Sequence, residues 1–318
     1  MQFTTRIPIQ KSDHPIDYKS RVVSLGSCFA VNIGEKFDHF KFRNTTNPFG
    51  ILFHPLALAN FIAFAVNQKT FTENDIFFHN ERWHCFDAHS DLSHPDKETL
   101  LRILNAAVAS ANAAIKGATH LIITLGTAWI YRHKPTGGYV ANCHKVPQKE
   151  FEKDLVRITD VEDILSSIIE LLNRLNPELK VIFTVSPVRH IKDGFAENQW
   201  SKANLIAGVH EILDPKHGNT NCTYFPSYEI MMDELRDYRF YGSDMLHPNS
   251  AAIDYIWERF TEAFITEEAQ KTMEEVDNIQ KGIQHRPFNP QSAQHLDFLS
   301  KLDAKKAALE MQFPHITF

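Results

Sequence analysis

The sequence has little cysteine: 318 residues contain four, at Cys28, Cys85, Cys143 and Cys222. No two of them form a Cys-x-x-Cys pair, so they predict neither a disulfide framework nor a cysteine-based metal site. Few and unpaired cysteines favour reduced thiols. We therefore predict a cytoplasmic protein.

Long apolar runs are missing as well. No stretch of about 18 apolar residues occurs, so no transmembrane helix is predicted, and residues 1–15, "MQFTTRIPIQKSDHP", lack the apolar core of a signal peptide. Positive charge is not in excess, since 33 Lys and Arg stand against 39 Asp and Glu. The sequence therefore predicts no nucleic-acid partner and no membrane partner, and nothing in it indicates a homo-oligomer.

Short apolar runs bounded by turn residues predict buried strands at 21–26, 119–126 and 179–187, with weaker candidates near 41–44 and 223–231. Helical patterns separate them, at 96–117, 159–177, 198–213 and 250–264. Strand and helix alternate along the chain, which is typical of a parallel sheet with helices on both faces. The fold class is therefore α/β, with three layers.

Two stretches depart from this alternation and predict β-hairpins. One spans 74–95 with its turn at Asn80-Glu81, and the other spans 129–147 with its turn at 135–138. We expect both to be insertions at the carboxyl edge of the sheet, where binding loops tend to lie. Beyond residue 265 the helical patterns become more polar. We accordingly divide the chain into a main domain, 1–265, and a helical extension packed on it, 266–318.

The stretch "RVVSLGSCFAVNIGEKF" (21–37) reads as strand, tight turn and helix, with Ser27 and Cys28 side by side on the turn. A helix N-terminus there favours a nucleophile and a developing oxyanion, and it also lowers the pKa of a thiol. Neighbouring side chains on a turn point in different directions, and the following Phe29 and Ala30 indicate an inward-facing edge. We predict Ser27 to be the nucleophile and Cys28 to be a small core residue.

A second motif, "SDMLHPN" (243–249), places Asp244 three residues before His247. At this spacing the carboxylate can accept from one imidazole nitrogen, which leaves the other to take up a proton. The motif follows the last predicted strand, at the same sheet edge as Ser27. The two motifs together predict a Ser–His–Asp triad.

These motifs resemble the GSCFA family of the SGNH (GDSL-type) hydrolase superfamily, over residues 20–265. "LGSCFA", "NPFGI", "TLGTAWIY", "VANCHKVP", "SPVRH" and "SDMLHPN" carry the resemblance. It implies a flavodoxin-like fold with Ser27 as nucleophile, His247 as base and Asp244 as its orienting carboxylate. It also implies that the N–H groups of Ser27 and Gly50 form an oxyanion hole, although Gly50 also suits a plain turn after Pro48.

The chain departs from the superfamily at its third sequence block, G-x-N-D. Gly126 is kept, but Ala128 replaces the asparagine and Trp129 the aspartate. Losing one oxyanion donor costs roughly 10²–10³-fold in rate. Asn142 and His144 in "VANCHKVP" are the predicted replacements, unless they serve their own loop as a turn residue and a surface histidine.

Four residues are predicted to bind substrate: Gly126, Thr127, His144 and Arg189. The planar guanidinium of Arg189 suits an anionic or polyhydroxyl group, and a salt bridge to a neighbouring carboxylate is the alternative. The predicted activity is hydrolysis or transfer of a small acyl group on a carbohydrate or similar alcohol, without a cofactor. This substrate class rests on the resemblance alone.

Two other functions compete with an esterase. Histidines recur every five residues at His79, His84, His89 and His94, with Cys85 and Asp87 between them, but this spacing fits no single helix or strand face. We predict no metal site. The alternative to catalysis is a carbohydrate- or partner-binding module, which the absent asparagine and the aromatic hairpins would suit.

Overall fold

The fold is built on one parallel sheet. In the computed structural model, which describes residues 5–318, the strands are β1 (Arg21–Gly26), β2 (Arg43–Thr46), β3 (Phe77–His79), β4 (Arg82–His84), β5 (His120–Leu125), β6 (Trp129–His133), β7 (Tyr139–Val140), β8 (Phe151–Leu155), β9 (Lys180–Val185) and β10 (Cys222–Phe225). Five of them form the central sheet in the order β10–β9–β5–β1–β2, with every neighbouring pair parallel. The predicted α/β class is confirmed. The last strand ends before Pro226, earlier than predicted.

The helices are α1 (Cys28–His39), α2 (Pro55–Val66), α3 (Lys97–Gly117), α4 (Ile158–Leu175), α5 (Phe195–Ile212), α6 (Ser227–Glu229), α7 (Ser250–Phe264), α8 (Glu267–Gln284) and α9 (Ala293–Gln312). Helix α2 was not predicted, because "PLALANFIAFAV" is apolar on nearly every face and shows no helical periodicity. Its start is well defined in the structure. Pro55 occupies the first turn, and His54 Nδ1 accepts from Ala57 N at 3.1 Å.

The sheet is covered by helices on both faces. Alternate residues of β1 show this, because Val23 and Leu25 belong to the core with α2, α3, α4 and α5, whereas Val22 belongs to the core with α1, α7 and α8. Both faces are therefore apolar, as the non-alternating pattern of the run predicts. Polar side chains that could serve a site are therefore expected at the ends of the strands.

The two insertions form small antiparallel sheets. Strands β3 and β4 make the predicted hairpin, and its turn residues Asn80 and Glu81 have φ of 47° and 58°, as a two-residue hairpin turn requires. Strands β6 and β7 make the second predicted hairpin. Strand β8 also pairs with β6 from Trp129 to His133, which makes a third strand that was not predicted.

The C-terminal helices pack on the main domain. Side chains of α8 and α9, including Val276 and Leu309, share one apolar core with Phe37 of α1 and Trp257 of α7. No helix between residues 5 and 318 is both long enough and apolar enough to cross a lipid bilayer.

Candidate active site

Ser27 lies on the turn that joins β1 to α1. Gly26 begins this turn with a φ of 134°, and a Cβ there would lie 2.1 Å from the Thr124 carbonyl oxygen, so only glycine fits. Ser27 is the N-cap residue of α1, yet its side chain makes no capping hydrogen bond. It is fully buried, and its Oγ has no hydrogen-bond partner within residues 5–318. A buried hydroxyl without a partner is rare, which sets Ser27 apart from an ordinary helix cap.

Cys28 is more exposed than Ser27, so the prediction that Cys28 is the core residue is wrong. The thiol is half-buried at the first position of α1, while the N-cap side chain of Ser27 is enclosed. Burial nevertheless raises the pKa of Cys28, and the opposing effects of Lys202 and of N–H groups at the helix start are smaller. Since thiolate is the nucleophilic form, Cys28 is poorly suited to attack at neutral pH.

The two backbone donors predicted for an oxyanion are both engaged. Ser27 N donates to Thr124 O at 3.1 Å, and Gly50 N donates to Asn47 O at 2.8 Å. Gly50 has a φ of 77°, and a Cβ there would lie 2.3 Å from the Cβ of His89. Gly50 is thus needed to close the turn 47–50, which agrees with its alternative role as a turn glycine. This arrangement corrects the predicted oxyanion hole, because both N–H groups already serve the fold.

Asp244 and His247 make the contact expected from their spacing. His247 Nδ1–H donates to Asp244 Oδ2 at 2.6 Å, since a carboxylate can only accept. Nε2 of the neutral ring is then unprotonated and able to take up a proton. Asp244 Oδ1 accepts from the backbone N–H groups of His247 at 3.0 Å and Leu246 at 2.9 Å. These backbone hydrogen bonds, with that of the His247 ring, lower the pKa of Asp244 to about 2 and keep it ionised.

Arg189 ties the loop 241–248 to the end of β9. Its backbone N donates to Leu246 O at 3.2 Å, and its guanidinium donates to Met245 O. The guanidinium carbon also lies 4.4 Å from the centre of the Tyr241 ring, as a cation–π contact requires. The structure therefore shows Arg189 positioning this loop, in place of the predicted substrate contact and of the alternative carboxylate pair.

The site has two halves, the turn of Ser27 and the loop of Asp244 and His247, which lie at one sheet edge with no hydrogen bond to Ser27 Oγ. Ser27 follows β1 and Arg189 follows β9, with only β5 between these strands. Ser27 Oγ makes no hydrogen bond with His247 or any other described residue. The side chains of His247 and Asp244 are 53% and 46% exposed, whereas Ser27 is fully buried. Catalytic hydrogen bonds often form only in the substrate complex. In this structure, no hydrogen bond joins Ser27 Oγ to His247.

His190 is a second histidine at this edge. Burial above all, and then the charges of Lys202 and His247, lower its pKa to about 3. Its ring packs edge-on against Phe53 with 5.8 Å between ring centres, and its Nε2 is buried without a hydrogen-bond partner among residues 5–318. His190 therefore stays uncharged at neutral pH and is not a proton acceptor there.

Lys202 is a buried amine that motif-based reasoning missed. It is 1% exposed, and its Nζ donates to Gly126 O and to Ser186 O, both at 2.7 Å. These carbonyls directly follow β5 and β9, so the amine joins two strand ends beside the Ser27 turn. Burial lowers the pKa of Lys202 to about 7, against the attraction of Cys28. Burial therefore disfavours the charged form of Lys202.

A signal for Lys202 is present in the sequence. It lies three residues before Leu205 and seven before Val209, which is the spacing of one helix face, and both leucine and valine are fully buried. A lysine on such a face is almost never buried unless a polar group holds it. A break of this kind in an apolar stripe indicates a polar site at the end of the sheet.

Gly126 was predicted to bind substrate, and the structure places it against Ser27. A Cβ on Gly126 would lie 3.1 Å from the Ser27 Cβ and 2.9 Å from Phe53 O. Its N–H donates to Phe53 O and its carbonyl accepts from Lys202. Gly126 therefore shapes the wall beside Ser27 through its lack of a side chain.

A cavity of about 480 Å³ opens between this edge and the second insertion. The predicted residues Thr127 and Asn142 line it together with His190. Its wall also includes four aromatic residues, two lysines and one aspartate: Phe53, Trp129, Tyr131, Phe151, Lys145, Lys192 and Asp193. Aromatic faces with polar groups between them suit a ring-shaped polar ligand.

His144 does not face this cavity, which corrects its predicted role in substrate binding. Its Nε2–H donates to Cys85 O at 2.7 Å, and its Nδ1 lies 3.1 Å from Ser90 Oγ. Burial lowers its pKa to about 4. Asn142 Oδ1 accepts from His144 N at 2.8 Å. The amide nitrogen of Asn142 is therefore the atom of this side chain that could donate to a ligand. Thus His144 joins the two insertions and has no ring nitrogen left for a ligand.

No group of three or more His, Cys, Asp or Glu side chains in the described part of the chain is arranged to hold a metal ion. In the histidine-rich hairpin, the ring of His84 uses its Nε2–H to donate to His79 O at 3.0 Å.

Fold and site together define an α/β protein with an enclosed serine and a histidine–carboxylate pair at the carboxyl edge of its parallel sheet. The sequence model of the GSCFA family matches residues 21–260, and that of the GSCFA domain protein, C-terminal domain, matches residues 276–318. The chain therefore belongs to the GSCFA family. No curated protein matches it.

Proposed function

We propose that the protein is a serine hydrolase of the SGNH type, which deacylates an ester or transfers its acyl group. The observation that carries this proposal is the 2.6 Å hydrogen bond from His247 to Asp244. It leaves Nε2 able to accept a proton at the sheet edge where Ser27 is held without a partner. Those are the parts that acyl transfer through a serine requires.

The strand order supports the same class of fold. Counting only the strands of the central sheet along the chain, the order is 2-1-3-4-5, which is that of flavodoxin-like proteins. In such sheets ligands bind at the carboxyl edge, near the point where the strand order reverses. Here β1 and β5 flank that point, and Ser27 directly follows β1.

The proposed reaction begins when Ser27 Oγ attacks the ester carbonyl carbon and its proton passes to His247 Nε2. The tetrahedral intermediate then releases the alcohol, which takes the proton from His247 and leaves an acyl-Ser27. Water, or a second alcohol, gives its proton to His247 and attacks this acyl group. Asp244 stabilises the imidazolium in both halves of the reaction, and Ser27 is regenerated.

The cavity supports a carbohydrate or similar alcohol as the acyl carrier. Its aromatic wall, with Trp129 and Tyr131, suits the apolar face of a sugar ring, and Thr127 and Asn142 add polar side chains. The small size of the acyl group rests on the family resemblance alone.

A fluorophosphonate probe tests the proposal, because it reacts with an activated serine. We expect labelling of the wild-type protein and of Cys28→Ala, and none of Ser27→Ala, with the modified peptide found by mass spectrometry. Cys28→Ala is the matched control because it changes the neighbouring residue on the same turn. Equal labelling of Ser27→Ala, or no labelling of folded wild-type protein, would contradict the proposal.

A binding module is the second candidate, and one observation favours it: Ser27 Oγ makes no hydrogen bond with His247, and neither residue lines the cavity. Such a protein would ignore the phosphonate but bind an oligosaccharide. Calorimetric titration with acetylated and deacetylated oligosaccharides separates the two functions. A binding module leaves both ligands intact, whereas an esterase converts the first into the second.

A further inference from the structure

The site lacks an obvious donor for the negative oxygen that the proposed reaction forms. The N–H groups of Ser27 and Gly50 already donate to carbonyl oxygens. Ala128, which stands where the superfamily has its asparagine, is fully buried in the apolar core. An enzyme that builds an oxyanion needs at least one donor aimed at the carbonyl oxygen. The proposed reaction therefore requires a buried donor near Ser27 that the fold does not already use.

Asn47 carries such a donor. Its side-chain Oδ1 accepts from Gly26 N, the residue before Ser27, at 2.8 Å. Because only the oxygen of an amide can accept from an N–H group, this contact assigns the orientation of the side chain. The other end of the amide, Nδ2, is buried and has no hydrogen-bond partner anywhere in residues 5–318.

The backbone around Asn47 holds this amide in place. Asn47 N donates to Ser24 O at 2.9 Å, and Asn47 O accepts from Gly50 N at 2.8 Å. Its φ is 42°, in the left-handed region that asparagine tolerates better than most residues. The backbone of Asn47 is thus bonded to strand β1 and to the turn 47–50, which holds the side-chain amide in one position before any ligand binds.

Three buried polar atoms lack partners around this turn among residues 5–318: Ser27 Oγ, Asn47 Nδ2 and Thr124 Oγ1. Of the two candidate donors, only Asn47 belongs to the loop after β2 and is oriented by a hydrogen bond of its own side chain, from Gly26 N. An unpartnered buried donor costs free energy unless a ligand completes it. We propose that Asn47 Nδ2 is the side-chain donor that binds the carbonyl oxygen of the ester and stabilises the oxyanion. This inference rests on the proposed serine hydrolase function, and it assigns to Asn47 the role that sequence reasoning gave to Asn142.

In the step concerned, the Ser27 Oγ–carbon bond forms and the carbonyl π electrons move onto oxygen. The Oγ proton goes to His247 Nε2, so the oxygen carries the only new negative charge. Nδ2–H of Asn47 donates to that oxygen more strongly than to the neutral carbonyl. When the intermediate collapses, the electron pair returns and the alcohol leaves with the proton from His247.

The sharpest variant is Asn47→Asp. It keeps the side-chain shape, the acceptor for Gly26 N–H and the tolerance of a positive φ, and it replaces the amide donor with a carboxylate oxygen, which only accepts and adds a negative charge. We expect kcat for p-nitrophenyl acetate to fall about 100-fold with KM changed less than about threefold, and phosphonate labelling of Ser27 to slow by a similar factor. Asn112→Asp is the matched control. It removes a side-chain amide donor elsewhere in the fold, on α3, where Asn112 Nδ2 donates to Ala65 O of α2 at 2.9 Å.

Asn47→Gly guards against a folding defect in the aspartate variant, because glycine accepts the same φ without adding a charge. The expected loss is again about 100-fold in kcat. The inference is overturned if either folded variant retains kcat within about threefold of wild type, or if Asn112→Asp loses as much activity as they do. Wild-type protein that no phosphonate labels would instead refute the hydrolase itself, and the oxyanion role with it.

Discussion

The two halves of the site are built in opposite ways. The half around Ser27 is buried and held by regular structure, since Gly26 pairs with Thr124 across β1 and β5, and Ser27 N donates to Thr124 O. The half around His247 is an exposed loop, held by Arg189 and by the contacts of Asp244 with its own backbone. The two halves therefore differ in both solvent exposure and the structure that supports them. In the proposed reaction, the serine nucleophile is enclosed, and the histidine that would exchange protons is exposed to solvent.

The largest effect is expected for His247, the exposed half. His247→Ala should lower kcat about 10³-fold, because it removes the proposed proton acceptor. His190→Ala should lower kcat less than about tenfold and raise KM, because His190 lines the cavity but stays uncharged at neutral pH. Steady-state kinetics on p-nitrophenyl acetate measure both variants. A larger loss from His190→Ala would exchange the roles of the two histidines.

Glycines test the same comparison through stability. Gly26→Ala should lower the free energy of unfolding by about 3 kcal/mol, because its φ of 134° is strained for alanine and the new Cβ would lie 2.1 Å from Thr124 O. Gly242→Ala, in the exposed loop, should change it by less than about 0.5 kcal/mol, since the nearest atom would lie 3.6 Å away. Urea denaturation measures both. Similar values for the two variants would mean that the loop is packed as tightly as the turn.

The regular structure around Ser27 could be predicted well from the sequence. The apolar runs of β1, β5 and β9 are covered on both faces, so their pattern indicates a parallel sheet directly. The turn at Ser27 and the spacing of Asp244 and His247 are local, and each has a local consequence. Helix α2 and strand β8 were missed, because the first has no amphipathic pattern and the second is short and mostly polar.

The long-range contacts of the site could not be predicted. Lys202 reaches carbonyls that lie 76 and 16 residues away, and Arg189 holds a backbone oxygen 56 residues away. Asn47 meets Gly26 only because β1 and β2 are neighbours in the sheet. Single-sequence patterns describe which face of an element is apolar. They do not describe which polar end meets which once the elements are packed.

Arg189 ties the loop of His247 to the end of β9, so its loss should affect the exposed half of the site. Arg189→Met keeps an unbranched side chain but loses the hydrogen bond to Met245 O and the cation–π contact with Tyr241. We expect kcat to fall roughly thirtyfold through misplacement of His247, with faster proteolysis in 241–248. Arg189→Lys should recover little of this, because an ammonium lacks the planar fork. Full activity in both variants would show that the loop 241–248 keeps its conformation without the Arg189 side chain.

The smallest effect concerns the buried half, where Lys202 bridges two strand ends. Its folded-state pKa, lowered by burial to about 7, lies below its ordinary value of 10.5. Between these values the unfolded chain binds a proton that the folded chain does not, so raising the pH favours folding. From pH 7.5 to 8.5, the unfolding free energy of wild type relative to Lys202→Met should rise by about 1 kcal/mol. Urea denaturation at both pH values measures this, with the exposed Lys216→Met as control, for which the difference stays flat. A flat difference for Lys202→Met would mean that Lys202 keeps its proton, and that a permanent cation lies beside Ser27.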